Sequence, residues 1–171
     1  MLPIRVVLIV LLCAFDTSAQ HPAELAASRT LENPAYRAAA EVLDREYDRF
    51  VTELIALTEI PAPPFKEAAR ADAFMRLALA SGLTDVEKDE EGNVLAMRTG
   101  AGGPLLVVAA HLDTVFPEGT DVTVRRDGTR LSAPGIGDDA QGVASLLALA
   151  RAMHAATVRT TSDILFVANV G

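Results

Sequence analysis

The stretch Leu105-Leu106-Val107-Val108-Ala109-Ala110-His111-Leu112-Asp113-Thr114 runs from six apolar residues into a polar ending. A continuous apolar run of this length is typical of a strand buried on both faces of a sheet, with helices packed above and below. His111 then stands where the strand ends. Because ligands in open α/β sheets gather beyond the carboxyl ends of strands, the stretch predicts both a central strand and a candidate site.

The alternation within His111-Leu112-Asp113 favours a polar pair. In extended backbone, residues two apart point the same way, so the imidazole and the Asp113 carboxylate share a face while Leu112 turns toward the core. A metal-binding histidine commonly donates its second ring N–H to a carboxylate. A structural histidine, with Asp113 capping a loop, explains the triplet equally well. The triplet alone leaves both interpretations open.

The rest of the chain alternates helical and strand patterns. Asn33-Pro34 reads as a helix start, and apolar residues at three- and four-residue steps predict one long helix that ends at Ile60-Pro61-Ala62-Pro63-Pro64-Phe65. The further predicted elements are a helix over 66–80, a hairpin over 86–98, a surface hairpin over 122–131, a helix over 139–155 and a strand over 164–170. This order predicts an α/β domain with a largely parallel sheet.

Composition narrows the class of partner. The chain has 171 residues, of which 50% are hydrophobic and 22% charged, which is enough for one buried core. Its formal charge of −8, with no run of Lys or Arg, argues against nucleic acid and against an anionic membrane surface.

The first 19 residues read as a secretory signal peptide. Arg5 supplies the positive start, 6–15 form an apolar core and Thr17-Ser18-Ala19 offers small residues for cleavage. That apolar core is shorter than the roughly 20 residues that cross a bilayer. We therefore expect a secreted or periplasmic protein that does not contact the membrane after cleavage, with a mobile leader over 20–32 and a folded domain that begins at residue 33 and continues to residue 171.

Cleavage would also remove Cys13, the single cysteine of the chain. The mature chain would then form no disulfide and offer no thiolate, so its chemistry has to come from histidine, carboxylate or hydroxyl groups.

The segment Gly135-Ile136-Gly137-Asp138-Asp139-Ala140 admits three interpretations. Its G-x-G-x-x-A spacing matches a dinucleotide-binding fingerprint, but the preceding residues 130–134 are not a buried apolar strand, and two aspartates would face a pyrophosphate. A helix cap accounts for one of the aspartates. A carboxylate on a divalent cation, with His111 as a second ligand, explains the pair, because zinc accepts this mixture of N and O donors.

With these motifs in view, the chain from about Asn33 onward resembles the co-catalytic di-zinc hydrolases, which include peptidase T, glutamate carboxypeptidases, aminoacylase and succinyl-diaminopimelate desuccinylase. The resemblance rests on four motifs in the family's order: 60–65, 111–115, 137–142 and 164–171. It implies a three-layer α/β/α zinc-peptidase catalytic domain, truncated before the rest of the sheet and before the lid or dimerisation domain. One departure is Ala140-Gln141, where many members carry a lysine.

The resemblance also implies roles for individual residues. His111 would bind one zinc ion, Asp113 would be the catalytic residue that orients this imidazole, and Asp138 would bridge two zinc ions, with cobalt or manganese as alternative metals. Asp139 matches the next motif position, and the peptide bond between the two aspartates would be cis. The implied reaction is metal-assisted hydrolysis of a peptide or an N-acyl amino acid, with a glutamate as general base in a pair that would follow Gly171. A homodimer is expected only for the full-length family form.

Two hypotheses about the whole chain follow. In the first, the residues are a fragment of an exported peptidase or amidohydrolase, inactive alone, which binds zinc weakly and is poorly soluble. In the second, they form a short non-catalytic metal-binding or interaction protein derived from such an enzyme. Reading the DNA past codon 171 separates them, because Glu-Glu-Gly in frame supports the first and an immediate stop supports the second.

Overall fold

A computed structural model describes residues 22–171, so the predicted signal peptide, Cys13 and His21 lie outside the described residues. The described chain forms five α-helices, six strands and one short helical segment. In chain order these are α1 (Pro22–Glu32), α2 (Pro34–Arg45), α3 (Tyr47–Thr58), α4 (Ala68–Ala80), β1 (Thr84–Lys88), β2 (Val94–Arg98), β3 (Gly103–His111), β4 (Arg125–Asp127), β5 (Arg130–Ser132), the helical segment Ile136–Ala140, α5 (Gln141–Ala155) and β6 (Ser162–Asn169).

The central sheet has four strands in the order β1-β2-β6-β3. β3 and β6 run parallel, with His111 opposite Asn169, whereas β2 pairs antiparallel with both β1 and β6. The short strands β4 and β5 form a separate hairpin. The predicted α/β class is confirmed, and the sheet of the described residues is mixed, with one parallel pair.

The hydrophobic core lies between one face of this sheet and helices α4 and α5. Strand residues that point to this face are buried together with apolar residues of the two helices, which include Val94, Ala96, Ile164, Phe166, Ala168, Phe74, Val143 and Leu147. Leu165 and Val167 alternate with the buried residues of β6 and are half-buried. They belong to the opposite face, where a three-layer domain would place its second helical layer.

Strand β3 is less buried than its sequence predicts. It occupies the edge of the four-stranded sheet, with β6 as its neighbour. Leu105, Leu106 and Val107 are 55%, 50% and 52% exposed. The prediction of burial on both faces is therefore wrong for the described residues, because β3 has a strand on one side and helices on one face.

The predicted long helix is divided into α2 and α3. The break falls at Glu46, whose φ of −97° and ψ of 15° depart from helical values. The Glu46 carboxylate lies 3.1 Å from Nε of Arg151, which reaches it from α5. Three of the apolar residues that predicted one long amphipathic helix are exposed in the structure, namely Tyr36, Leu43 and Tyr47.

The segment predicted to be a mobile leader contains a helix, because residues 22–32 form α1. None of the residues of α1 is buried. Its mobility stays a prediction. Within residues 22–171, no helix combines the length and the apolar character that a membrane crossing requires.

Candidate metal centre

The polar pair at the end of β3 has the predicted geometry. The Leu112 N–H donates to the Asn169 carbonyl at 2.7 Å, which extends the strand pairing by one residue. Leu112 is fully buried. The side chains on either side of it meet, with His111 Nδ1 lying 3.0 Å from Asp113 Oδ1. The expectation that His111 and Asp113 share a face is confirmed.

Asp138 reaches the same imidazole from the segment before α5. Gly135 has a φ of +76°, and a Cβ there would lie 2.6 Å from Cγ2 of Thr114, so glycine lets this segment pass against the end of β3. The Asp138–Asp139 peptide bond is cis, as the resemblance implies. Asp138 Oδ1 lies 2.9 Å from His111 Nε2. The structure therefore brings His111, Asp113 and Asp138 together, with the imidazole between the two carboxylates.

Asp139 has a different task from its neighbour. Its Oδ2 accepts the backbone N–H of His111 at 3.2 Å, and its Oδ1 accepts the N–H of Gly142 at 3.0 Å. A Cβ at Gly142 would lie 2.1 Å from that Oδ1, so the carboxylate fits only beside a glycine. Asp139 thus ties the start of α5 to the end of β3, and Asp138, whose side chain is 82% exposed, faces solvent.

The neighbouring carboxylates shift the pKa of the imidazole. Partial burial lowers the pKa of His111, but the hydrogen bonds to Asp138 and Asp113, together with the negative charges of Asp113 and Asp139, outweigh it and raise the pKa above its usual value. An imidazolium can donate from both ring nitrogens, one to each carboxylate. A metal ion would take the place of the proton on Nε2.

The donor set suits part of a metal site. An imidazole nitrogen and a carboxylate oxygen are donors that zinc accepts, and Asp113 on the other ring nitrogen fixes the tautomer. Within the described part of the chain, no three His, Cys, Asp or Glu side chains converge in a way that could hold a metal ion. His111 and Asp138 therefore fit as two ligands of a larger set.

Arg70 is the main residue near this site that the sequence reasoning missed. Its guanidinium donates to the carbonyl of Leu112 at 2.7 Å. The signal was present in α4, where Arg70, Phe74 and Ala78 follow one another at four-residue steps and are all fully buried. A charged residue on a buried stripe marks a position that needs an explanation.

The motif at 60–65 also reaches the site through its backbone. The Ala62 carbonyl accepts the N–H of Thr114 at 2.8 Å, so this loop lies against the residues that follow Asp113. Its contribution to the site is a main-chain contact, which side-chain patterns do not reveal.

Other candidate sites are excluded or lie elsewhere. β5, the strand before Gly135, belongs to the separate hairpin, so the central-sheet strand that a dinucleotide fingerprint requires is not in that position. His154 lies in the last turn of α5, as expected of a charge near a helix end. A groove of about 500 Å³ between α1, α2 and α5 is lined mainly by apolar residues and contains none of the candidate site residues.

Comparison with known proteins supports a peptidase relationship. Residues 93–171 match peptidase family M28, and this range contains His111, Asp113 and Asp138. No curated protein sequence matches the chain.

Solved structures with a similar fold include several peptidases. An aminopeptidase of Bacillus cereus is 22% identical with a TM-score of 0.63, over 72% of this chain and 36% of its own. A di-peptidase of Saccharomyces cerevisiae is 15% identical with a TM-score of 0.65, over 78% of this chain and 34% of its own. A dinuclear metal binding peptidase from the M20 family of Bacillus subtilis is 15% identical with a TM-score of 0.57, over 75% of this chain and 36% of its own.

The chain therefore spans about a third of the length of these solved peptidases. Its described residues have the fold of their catalytic domain, and a candidate site lies at the carboxyl end of β3. The sequence match, the shared fold and the motif order together show that this chain resembles the metallopeptidases related to peptidase T and matches peptidase family M28 over residues 93–171.

Proposed function

We propose that these residues serve a zinc-dependent hydrolase of peptide or amide bonds. The observation that carries the proposal is the imidazole of His111, held between Asp113 at 3.0 Å and Asp138 at 2.9 Å at the carboxyl edge of the sheet. Ligands collect at this edge in α/β sheets. The match to peptidase family M28 covers the same residues.

Each residue has a distinct task in this proposal. His111 binds zinc through Nε2, Asp138 offers a carboxylate oxygen beside it, and Asp113 accepts the Nδ1–H and so fixes the ring. Two zinc ions are proposed for the complete site, with cobalt or manganese as alternatives. When bound, the metal lowers the pKa of a water molecule and polarises the scissile carbonyl.

The proposed substrates are peptides or N-acyl amino acids. The similar structures support peptides as substrates, because two of them are described as an aminopeptidase and a di-peptidase. N-acyl amino acids are proposed from the sequence resemblance alone. We also propose export to the periplasm or the exterior, on the signal-like pattern of residues 1–19. A homodimer is proposed only for a form as long as these peptidases.

For the 171-residue chain alone we propose weak zinc binding without turnover. Zinc in proteins usually has four ligands, and catalytic sites keep three protein ligands plus water. His111 and Asp138 supply two. The second candidate function, a non-catalytic metal-binding or interaction protein, is favoured by the same observation, since the described residues hold no cluster of three ligands.

Zinc titration by calorimetry tests the proposal, with His111→Ala and Asp138→Asn as variants and His154→Ala as the matched control. We expect weak binding in the parent and in His154→Ala, and at least about a tenfold loss in the other two variants. Equal binding in parent and His111→Ala would refute the metal site. Zinc-dependent release of amino acids from a peptide, lost in His111→Ala, would show that the chain alone is active and overturn the second candidate.

A further inference from the structure

Arg70 is a fully buried cation whose bonds all go to the main chain. Its side chain is 0% exposed and lies in α4. Nε and Nη2 donate to the Ile60 carbonyl at 3.1 and 2.6 Å, Nη2 also donates to the Thr58 carbonyl at 3.3 Å, and Nη1 donates to the Leu112 carbonyl at 2.7 Å. A buried guanidinium is unfavourable unless its N–H groups are satisfied, so these four bonds explain how it is retained.

These bonds join two segments that are distant in sequence. Thr58 ends α3 and Ile60 begins the following loop, whereas Leu112 lies between the two residues of the polar pair. The loop and the strand end meet a second time where the Ala62 carbonyl accepts the Thr114 N–H at 2.8 Å. Arg70 therefore fixes the distance between the loop after α3 and the end of β3.

The bond to Leu112 fixes the direction of the backbone at the site. The N–H of Leu112 donates to Asn169 at 2.7 Å, and its carbonyl accepts from Arg70 at 2.7 Å, so the residue is held on both sides. The carbonyl of Leu112 belongs to the peptide group that leads into Asp113. A rotation of this group would move the Asp113 carboxylate away from His111 Nδ1.

The electrostatics of the buried cation agree with this arrangement. Burial lowers the pKa of Arg70 and the negative charge of Asp113 raises it, with a net value of about 10, so the two groups attract each other. The Asp113 side chain is itself only 17% exposed.

We propose that Arg70 is a positioning residue, which holds the Leu112 carbonyl so that Asp113 stays against Nδ1 of His111 and Nε2 is aimed at Asp138. Its effect on zinc affinity rests on the proposed function, whereas its effect on the imidazole does not. The proposal assigns to Arg70 a role in the geometry of the site that differs from a general role in folding.

The experiment compares Arg70→Met and Arg70→Gln with Arg151→Met. Arg151 is a matched control because it is also buried, at 6% exposure, but bonds to Glu46 and Glu53 away from the site. Ring nitrogen NMR of His111 in the metal-free chain, at one fixed pH, reports the bond from Nδ1–H to Asp113. We expect the parental signature in Arg151→Met and its loss in both Arg70 variants. Zinc affinity should fall about 10- to 100-fold in the Arg70 variants alone.

Several results would overturn the proposal. If a folded Arg70→Met or Arg70→Gln loses stability but keeps the parental His111 signals, Arg70 serves the fold alone. If neither variant folds, NMR of the parent chain tests the proposal instead. Guanidinium N–H signals of Arg70 that are protected from exchange and show contacts to Leu112 are expected, and their absence contradicts the proposal. A parent that does not bind zinc refutes the proposed function, but the ring signature still tests Arg70.

Discussion

Two buried arginines hold two parts of this molecule together in different ways. Arg151 lies between α5 and α3 and bonds to carboxylates, with Nη1 at 2.8 Å from Glu53 and Nε at 3.1 Å from Glu46. Arg70 lies beneath the end of β3, and its four hydrogen bonds go to main-chain carbonyls. The first region is an ion-pair network between helices, and the second is a clamp on the backbone that carries the candidate site.

The difference leads to separate expectations for stability and for metal binding. Removing a partner from a buried ion pair leaves an uncompensated charge, so the helix interface should respond mainly through stability. The strand end carries His111 and Asp113, so changes there should alter the geometry of the imidazole and the binding of metal. The following predictions separate these two outcomes.

The largest effect is expected at the helix interface. Arg151→Met removes the α5 partner of Glu53, which is 7% exposed and keeps Arg49 at 2.9 Å, and should lower the free energy of unfolding by about 1–3 kcal/mol. Urea denaturation measures this. Arg151→Met combined with Glu53→Gln should recover part of the loss, and additive losses in the double variant would contradict a direct pairing.

The two neighbouring aspartates should separate metal binding from stability. Asp138→Asn should weaken zinc binding about tenfold while it leaves the free energy of unfolding within about 0.5 kcal/mol, because Asp138 is exposed. Asp139→Ala removes the carboxylate that accepts the Gly142 N–H at the start of α5, and should cost about 1 kcal/mol. Calorimetry and urea denaturation test the pair, and an Asp138→Asn variant as unstable as Asp139→Ala would remove the distinction.

A smaller effect is expected from the charge of His111. Burial lowers its pKa, but Asp138 and Asp113 raise it overall, so the metal-free chain should show a pKa above the ordinary value, and Asp113→Asn should bring it down. A raised pKa in the folded state means that the interaction contributes fully below the unfolded pKa and is lost as pH rises through the folded value. NMR titration of the ring measures it, and an unchanged pKa in Asp113→Asn would argue against the pairing.

The smallest effect on stability is expected at the sheet edge. Val107 is 52% exposed on β3, an edge strand that offers apolar surface to other molecules. Val107→Lys should change the free energy of unfolding by no more than about 0.5 kcal/mol and should reduce association. Light scattering at increasing concentration tests this against the parent. Equal association of the parent and Val107→Lys would show that the β3 edge is not the surface through which the chains associate.

The sequence predicted the pairing of His111 with Asp113 better than it predicted which residues of β3 are buried. The i and i+2 alternation of His111 and Asp113 depends on local backbone geometry, so it could be anticipated and is confirmed. The edge position of β3 depends on which strands pair, and Glu46, where the predicted long helix is interrupted, contacts Arg151, which is 105 residues away. Such long-range contacts have no local signal.

The contacts of Arg70 also lack a local signal in the sequence. Its position on the stripe with Phe74 and Ala78 could have marked it as buried, but its targets are backbone carbonyls. Main-chain acceptors are present at every residue, so sequence alone does not identify them.

The central claim is that His111 Nε2, oriented by Asp113, is a metal ligand. Ring nitrogen NMR of the three histidines of the chain, His21, His111 and His154, during zinc titration tests it most directly. We expect zinc to shift the Nε2 signal of His111, while Nδ1 of His111 keeps the proton bonded to Asp113 and the signals of His154 are unchanged. A titration that leaves His111 unshifted, or shifts His154 first, would contradict the claim.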